Sequence, residues 1–133
     1  MSQENVDALR AVYDEWGKGS FGAGGNLWDP RVVFIPVADL PESGEYHGPE
    51  GINEFMRGFL DAWTEVTIAA EEFIEADGSV VVTTRMHGVG RGSGIAGEAR
   101  TETHVWTFRG RAVIRFEAFV DRAAALEAVG LAE

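Results

Sequence analysis

From Val66 to Val120 apolar and polar residues alternate with a period of two, in four stretches: Val66–Ala76, Val80–Val89, Glu98–Phe108 and Ala112–Val120. Such alternation, rich in Val, Thr, Ile and aromatic side chains, is the mark of strands with one face turned inward. Asp77-Gly78 and Arg109-Gly110-Arg111 supply tight turns between neighbours, and a wide glycine-rich connection runs from Gly88 to Gly97. The pattern therefore predicts an antiparallel meander. Its inner face has to be buried, and the partners available are the helices that precede and follow it.

Those helices are legible from a different period. Over residues 3–17, Val6, Leu9, Val12, Tyr13 and Trp16 fall on one stripe while Glu4, Asp7 and Arg10 face away. Gly17 and Gly19 stop this helix. Arg31–Pro36 reads as a short strand with a proline at each end, which limits its ladder. Val37–Gly48 is a loop with a short extended piece at Glu45-Tyr46-His47, and Pro49 suits the first turn of a second helix. Ile52, Phe55, Met56, Phe59, Leu60 and Trp63 then recur at helical spacing. A stripe of this kind is core, and becomes a pocket wall if the core is hollow. A short helix over Arg122–Val129 closes the chain. Helix, strand, helix and meander make a single α+β domain over residues 1–133.

The totals narrow the partners. A chain of 133 residues is long enough for a continuous core. Its net charge of −11 repels nucleic acid phosphates and anionic membrane surfaces, and no basic amphipathic stretch offsets that. Cysteine is absent, which removes disulfides, thiolate catalysis and thiolate metal sites. Met1-Ser2-Gln3-Glu4-Asn5 lacks the basic and apolar regions of a signal peptide, and no stretch reaches the length of a membrane span. The expectation is a soluble, cytoplasmic protein.

Chemistry concentrates on one strand. In Glu98–Phe108 one face carries Arg100, Glu102, His104, Trp106 and Phe108, and the other carries Ala99, Thr101, Thr103, Val105 and Thr107. A face ending in Trp and Phe points at a core, yet it also holds a cation, a carboxylate and an imidazole. Burying these costs several kcal/mol, roughly, unless they are paired or line a wet cavity. Glu102 and His104 lie about 7 Å apart at Cα on one strand face, at ~3.4 Å rise per residue. A carboxylate so placed orients an imidazole or shares a water with it. The bland alternative is a polar strand edge. On the preceding stretch, Val80, Val82, Thr84 and Met86 look inward, which puts Arg85 and His87 on the outer surface. The three histidines, His47, His87 and His104, lack the spacing of a helical metal motif, so no metal is expected. Gly92–Gly97 matches the spacing of a dinucleotide loop, but a strand follows it where that motif needs a helix, so it reads as a hairpin.

Several segments together resemble the SnoaL-like proteins of the nuclear transport factor 2-like, or ketosteroid isomerase-like, superfamily. They are Leu27–Phe34, Tyr46–Ile52, His104–Gly110 and Asp121–Leu131. The resemblance implies a cone-shaped, curved antiparallel sheet packed on the N-terminal and central helices, around a deep apolar pocket. It also implies a homodimer through the outer face of the sheet, where Thr101, Thr103, Val105 and Thr107 lie beside Arg85 and His87. The general-base aspartate of ketosteroid isomerase corresponds to Ile35 here, its first-helix tyrosine falls nearest Val12 with Tyr13 one step off the register, and its oxyanion-hole aspartate falls on His104. The last-strand acid of the cyclases corresponds to Ala118, in an apolar inward set with Phe116 and Val120. The implied function is a small-molecule pocket protein for an apolar metabolite with a polar handle. It is either a cofactor-independent isomerase, cyclase or hydrolase, or a non-catalytic dimeric binding module. His104 and Glu102 are the candidate catalytic pair. Tyr13, Trp16, Phe34, Phe55, Phe59, Trp63, Trp106 and Phe116 are the candidate pocket wall.

Overall fold

The structure, a computed structural model, describes residues 2–22, 25–37, 44–90 and 98–131. Helix α1 spans Ser2–Trp16, and a short 3-10 turn over Gly25–Leu27 leads into strand β1, Trp28–Ile35. Strand β2 is Tyr46–His47 and helix α2 is Gly48–Asp61. The meander follows as β3 (Trp63–Ala76), β4 (Ser79–Gly90), β5 (Glu98–Arg109) and β6 (Ala112–Phe119), before helix α3 at Arg122–Ala128. The glycine-rich motif Gly92–Gly97 lies outside the described residues.

The strands form one six-stranded sheet in the order β2-β1-β6-β5-β4-β3. The meander pairs antiparallel throughout, with hairpin turns at Gly78 (φ 77°) and Gly110 (φ 63°), where the left-handed backbone favours glycine. The sheet is mixed rather than wholly antiparallel, because β1 joins β6 in parallel. This pairing follows from topology: α2 and most of the meander separate β1 from β6, so no hairpin constrains their direction. The β1–β6 register shifts between Trp28 and Val33, the segment holding Pro30, which has no N–H to donate.

The α2 stripe is shorter than its periodicity suggests. The helix ends at Asp61, and Trp63 opens β3 instead of continuing the stripe. The run Trp63-Thr64-Glu65-Val66-Thr67 is dominated by aromatic and β-branched residues, whose strand preference takes over there. Trp63 sits against Gly88 of the neighbouring strand, where a Cβ would come within 2.6 Å of the indole ring. Side chains from α1, α2 and the inner face of the sheet form the main core, including Leu9, Val32, Phe55, Val82 and Trp106.

A second, smaller cluster lies on the opposite face, where Ala125 and Leu126 of α3 cover Val81 and Val105. Asp121 caps that helix by accepting a hydrogen bond from the Ala123 N–H at 3.0 Å. The outer face is therefore not one open surface: Thr103 and Val105 are buried within the chain, while Arg85, His87 and Thr101 stay exposed. Val120 also departs from the inward set, being 55% exposed just past the end of β6.

Candidate active site

Strand β5 lies between β4 and β6, so its inner face looks into the space roofed by α1 and α2. Strict alternation brings Glu102, His104 and Trp106 to that side. Their neighbours on β6, Ala118 beside His104 and Phe116 beside Trp106, are apolar. The Thr84 hydroxyl on β4 donates to the Glu102 carbonyl at 2.9 Å, which satisfies a buried hydroxyl beside the polar group.

Here the structure brings together residues far apart in the chain. The Trp106 Nε1–H donates to the Tyr13 hydroxyl at 2.9 Å, and that hydroxyl lies 2.6 Å from His104 Nδ1. His104 Nε2 lies 3.1 Å from Glu102 Oε1, and Arg100 Nε lies 3.3 Å from Glu102 Oε2. Tyr13, His104 and Trp106 are all buried, while the Glu102 side chain retains 11% exposure.

One placement of hydrogens gives every donor an acceptor. Trp106 donates to Tyr13, Tyr13 donates to His104 Nδ1, and His104 donates from Nε2 to the Glu102 carboxylate. An imidazolium would need both ring nitrogens to donate, and the Tyr13 proton would then lose its acceptor. Tyr13 also keeps its proton firmly: burial pushes its pKa well above 10.0, with the Glu102 charge adding to this and the Trp106 N–H opposing it. The pattern thus selects a neutral His104 with the hydrogen on Nε2. Both of its nitrogens are then engaged, Nδ1 by Tyr13 and Nε2 by the Glu102 carboxylate.

Glu102 and His104 form the polar end of a cavity of about 50 Å³, otherwise walled by Trp16, Phe21, Phe34, Pro36, Val37, Phe55, Met56, Phe59, Ile68, Met86, Phe116 and Ala118. Among the aromatic residues picked out by sequence, Trp16, Phe34, Phe55, Phe59 and Phe116 lie on this wall. Tyr13 and Trp106 do not: they stand behind His104 as its hydrogen-bonded support. Trp63 is also off the wall, packed on Phe59 at a ring separation of 6.3 Å. Phe21 was not foreseen, since it sits in a glycine-rich stretch without periodicity. Met56 was visible in the α2 stripe. Tyr13, one step past the aligned Val12, is the first-helix residue whose side chain meets His104 on β5, while Val12 is buried in the core. Glu117 turns to the other face and pairs with Arg115 at 3.1 Å, leaving the β6 side of the cavity without an acid. Among the described residues, no three His, Asp or Glu side chains gather as a metal ion needs.

The architecture is that of the nuclear transport factor 2-like class. An NTF2-like protein of Burkholderia pseudomallei superposes with a TM-score of 0.75 at 21% identity, covering 95% of this chain and 97% of that one. TerC, crystallised with polyporic acid, gives a TM-score of 0.75 at 23% identity, with coverage of 94% and 97%. A ketosteroid isomerase-like protein of Catenulispora acidiphila, in complex with trimethylamine, gives 0.71 at 17% identity, with coverage of 96% and 93%. At such identities the likeness establishes the fold. The chain belongs to the SnoaL-like domain family, whose model matches residues 9–121. No curated protein matches the sequence.

Proposed function

We propose that this protein is a cytoplasmic small-molecule pocket protein that acts on an apolar metabolite with a polar handle. The chemistry is cofactor-independent proton transfer, as in an isomerase, cyclase or hydrolase. Glu102 faces the ligand as proton acceptor, and His104 positions it. The observation that supports this is the relay Trp106–Tyr13–His104–Glu102, which ends on the wall of an otherwise apolar cavity. A polar network buried this deeply is demanding to build and is useful where one charged group must be held still. Native mass spectrometry of freshly purified protein is the test. The expected result is a retained metabolite that wild type turns over and Glu102→Gln retains but leaves unchanged. A protein that retains nothing and binds no member of a library of small apolar compounds carrying one polar group contradicts the reading.

A non-catalytic dimeric binding module, whose pocket holds a ligand or merely fills with side chains, is the second reading, and a specific observation favours its filled form. The cavity of about 50 Å³ is far below the 300–1,000 Å³ of typical ligand sites. On either reading we propose a homodimer, through the part of the outer sheet face that α3 leaves open, around Arg85, His87 and Thr101. Sedimentation should give a dimer at micromolar concentration; a monomer throughout that range contradicts it.

A further inference from the structure

Among the described residues, one buried side-chain polar atom has no hydrogen-bond partner: the indole Nε1 of Trp16. Trp16 is 8% exposed and lies on the wall of the same cavity as Glu102 and His104. The contrast with Trp106 is direct. The Trp106 indole N–H, at a ring separation of 6.0 Å from Trp16, is satisfied by the Tyr13 oxygen at 2.9 Å. Native proteins seldom leave a buried donor unpaired, because it has lost water and gained nothing in exchange. The other side chains on the wall supply no oxygen or nitrogen acceptor except Glu102 and His104, and both His104 nitrogens are already engaged.

We propose that the Trp16 indole N–H is a ligand-binding donor that takes up an acceptor oxygen of the molecule in the cavity. This rests on the pocket reading above and adds the class of ligand: an uncharged carbonyl compound. A carboxylate ligand is disfavoured, since the Glu102 carboxylate shares the wall and the chain carries a net charge of −11. A carbonyl oxygen accepts from Trp16 without bringing charge into an apolar space. The lone pairs left on Glu102 then suit a hydrogen of the same ligand, on a hydroxyl or on the carbon beside the carbonyl. Met56 and Met86 on the wall, with flexible unbranched side chains, are the residues able to yield as a ligand enters.

The test titrates the full chain with cyclopentanone and, separately, with methylenecyclopentane, which has nearly the same shape but no acceptor oxygen. Four indole N–H signals are expected from the four tryptophans, and that of Trp16 is the one missing in Trp16→Phe. The ketone should shift the Trp16 indole proton and bind about 2- to 10-fold more tightly than the alkene, the worth of one net hydrogen bond. Trp16→Phe should bind both equally. If that variant does not fold, ring-to-ring Overhauser contacts with Tyr13 and Phe21 identify the wild-type signal, and the wild-type comparison decides. Equal binding of ketone and alkene by wild type, or a preference that survives in Trp16→Phe, overturns the role of Trp16 while leaving the pocket reading intact. Binding of neither probe overturns the assignment of Trp16 to a carbonyl ligand; the pocket reading falls with it only if the retention and library tests above also fail.

Discussion

The two walls of the cavity are built on opposite principles. On β5, Glu102 and His104 are fixed by directed hydrogen bonds that pass through Tyr13 to Trp106. On α2, Phe55, Met56 and Phe59 are held by packing alone, with Phe55 and Phe59 stacked at 5.7 Å. Directed bonds have one good geometry, whereas apolar contacts tolerate rearrangement at small cost. Under the proposed function the scaffold divides its work accordingly: the strand wall would fix where the polar handle sits, and the helix wall would set which bodies fit. Substitutions on α2 should therefore change stability and ligand size together, while substitutions in the relay should change the electrostatics of the site.

The largest effect is expected on the packed wall. Phe59→Ala removes a buried ring that stacks on Phe55 and supports Trp63, and should cost about 3–5 kcal/mol in chemical denaturation. It should also admit larger ligands. A loss below roughly 1 kcal/mol would mean that α2 does not pack on the cavity through this residue.

Breaking the polar wall should cost less in stability. Tyr13→Phe keeps the ring but strands the Trp106 N–H and His104 Nδ1, at a penalty of about 1–3 kcal/mol. The same substitution has a signature in pH. Burial raises the folded pKa of the phenol above 10.0, so the unfolded chain ionises first as pH rises. The stability Tyr13 contributes is complete below about pH 10 and declines as pH climbs toward the folded value, by up to ~1.4 kcal/mol per unit. Wild type should lose stability above pH 10 more steeply than Tyr13→Phe; identical slopes would contradict a buried, protonated Tyr13.

The outer face gives the smallest effect. Arg122 pairs with Glu72 at 3.2 Å, with both side chains about half exposed. Arg122→Ala should change stability by less than about 1 kcal/mol, since exposed pairs gain little over their hydrated states. A larger loss would mean that this contact, and not the apolar cover over Val81 and Val105, holds α3 to the sheet.

The same contrast explains what could be read from the sequence. The period of two through β3 to β6 carried the meander, and the alternation in β5 was enough to place Glu102 and His104 on the core side with Trp106. The packed wall was legible for the same reason, since Ile52, Phe55 and Phe59 repeat at helical spacing. The relay was not. Tyr13 and His104 are 91 positions apart, and a single residue of helix phase, about 100°, decides whether Val12 or Tyr13 meets β5. The stripe could not distinguish them, because both are buried. The cover of α3 over Val105 was equally hidden, since its alanines signal a helix but not the face on which it lands. The missing partner of Trp16 is a property of three-dimensional arrangement and leaves no trace in composition or spacing.

The relay requires His104 to be a neutral imidazole, with its hydrogen on Nε2 facing Glu102 and its bare Nδ1 receiving the Tyr13 proton. Two-bond proton–nitrogen correlation of the imidazole rings at neutral pH tests this directly, with His104 identified by its absence in His104→Gln. Wild type should show a pyridine-like Nδ1 and a protonated Nε2, with the Nδ1 resonance displaced in Tyr13→Phe. A His104 ring protonated on both nitrogens, or on Nδ1 alone, would contradict it.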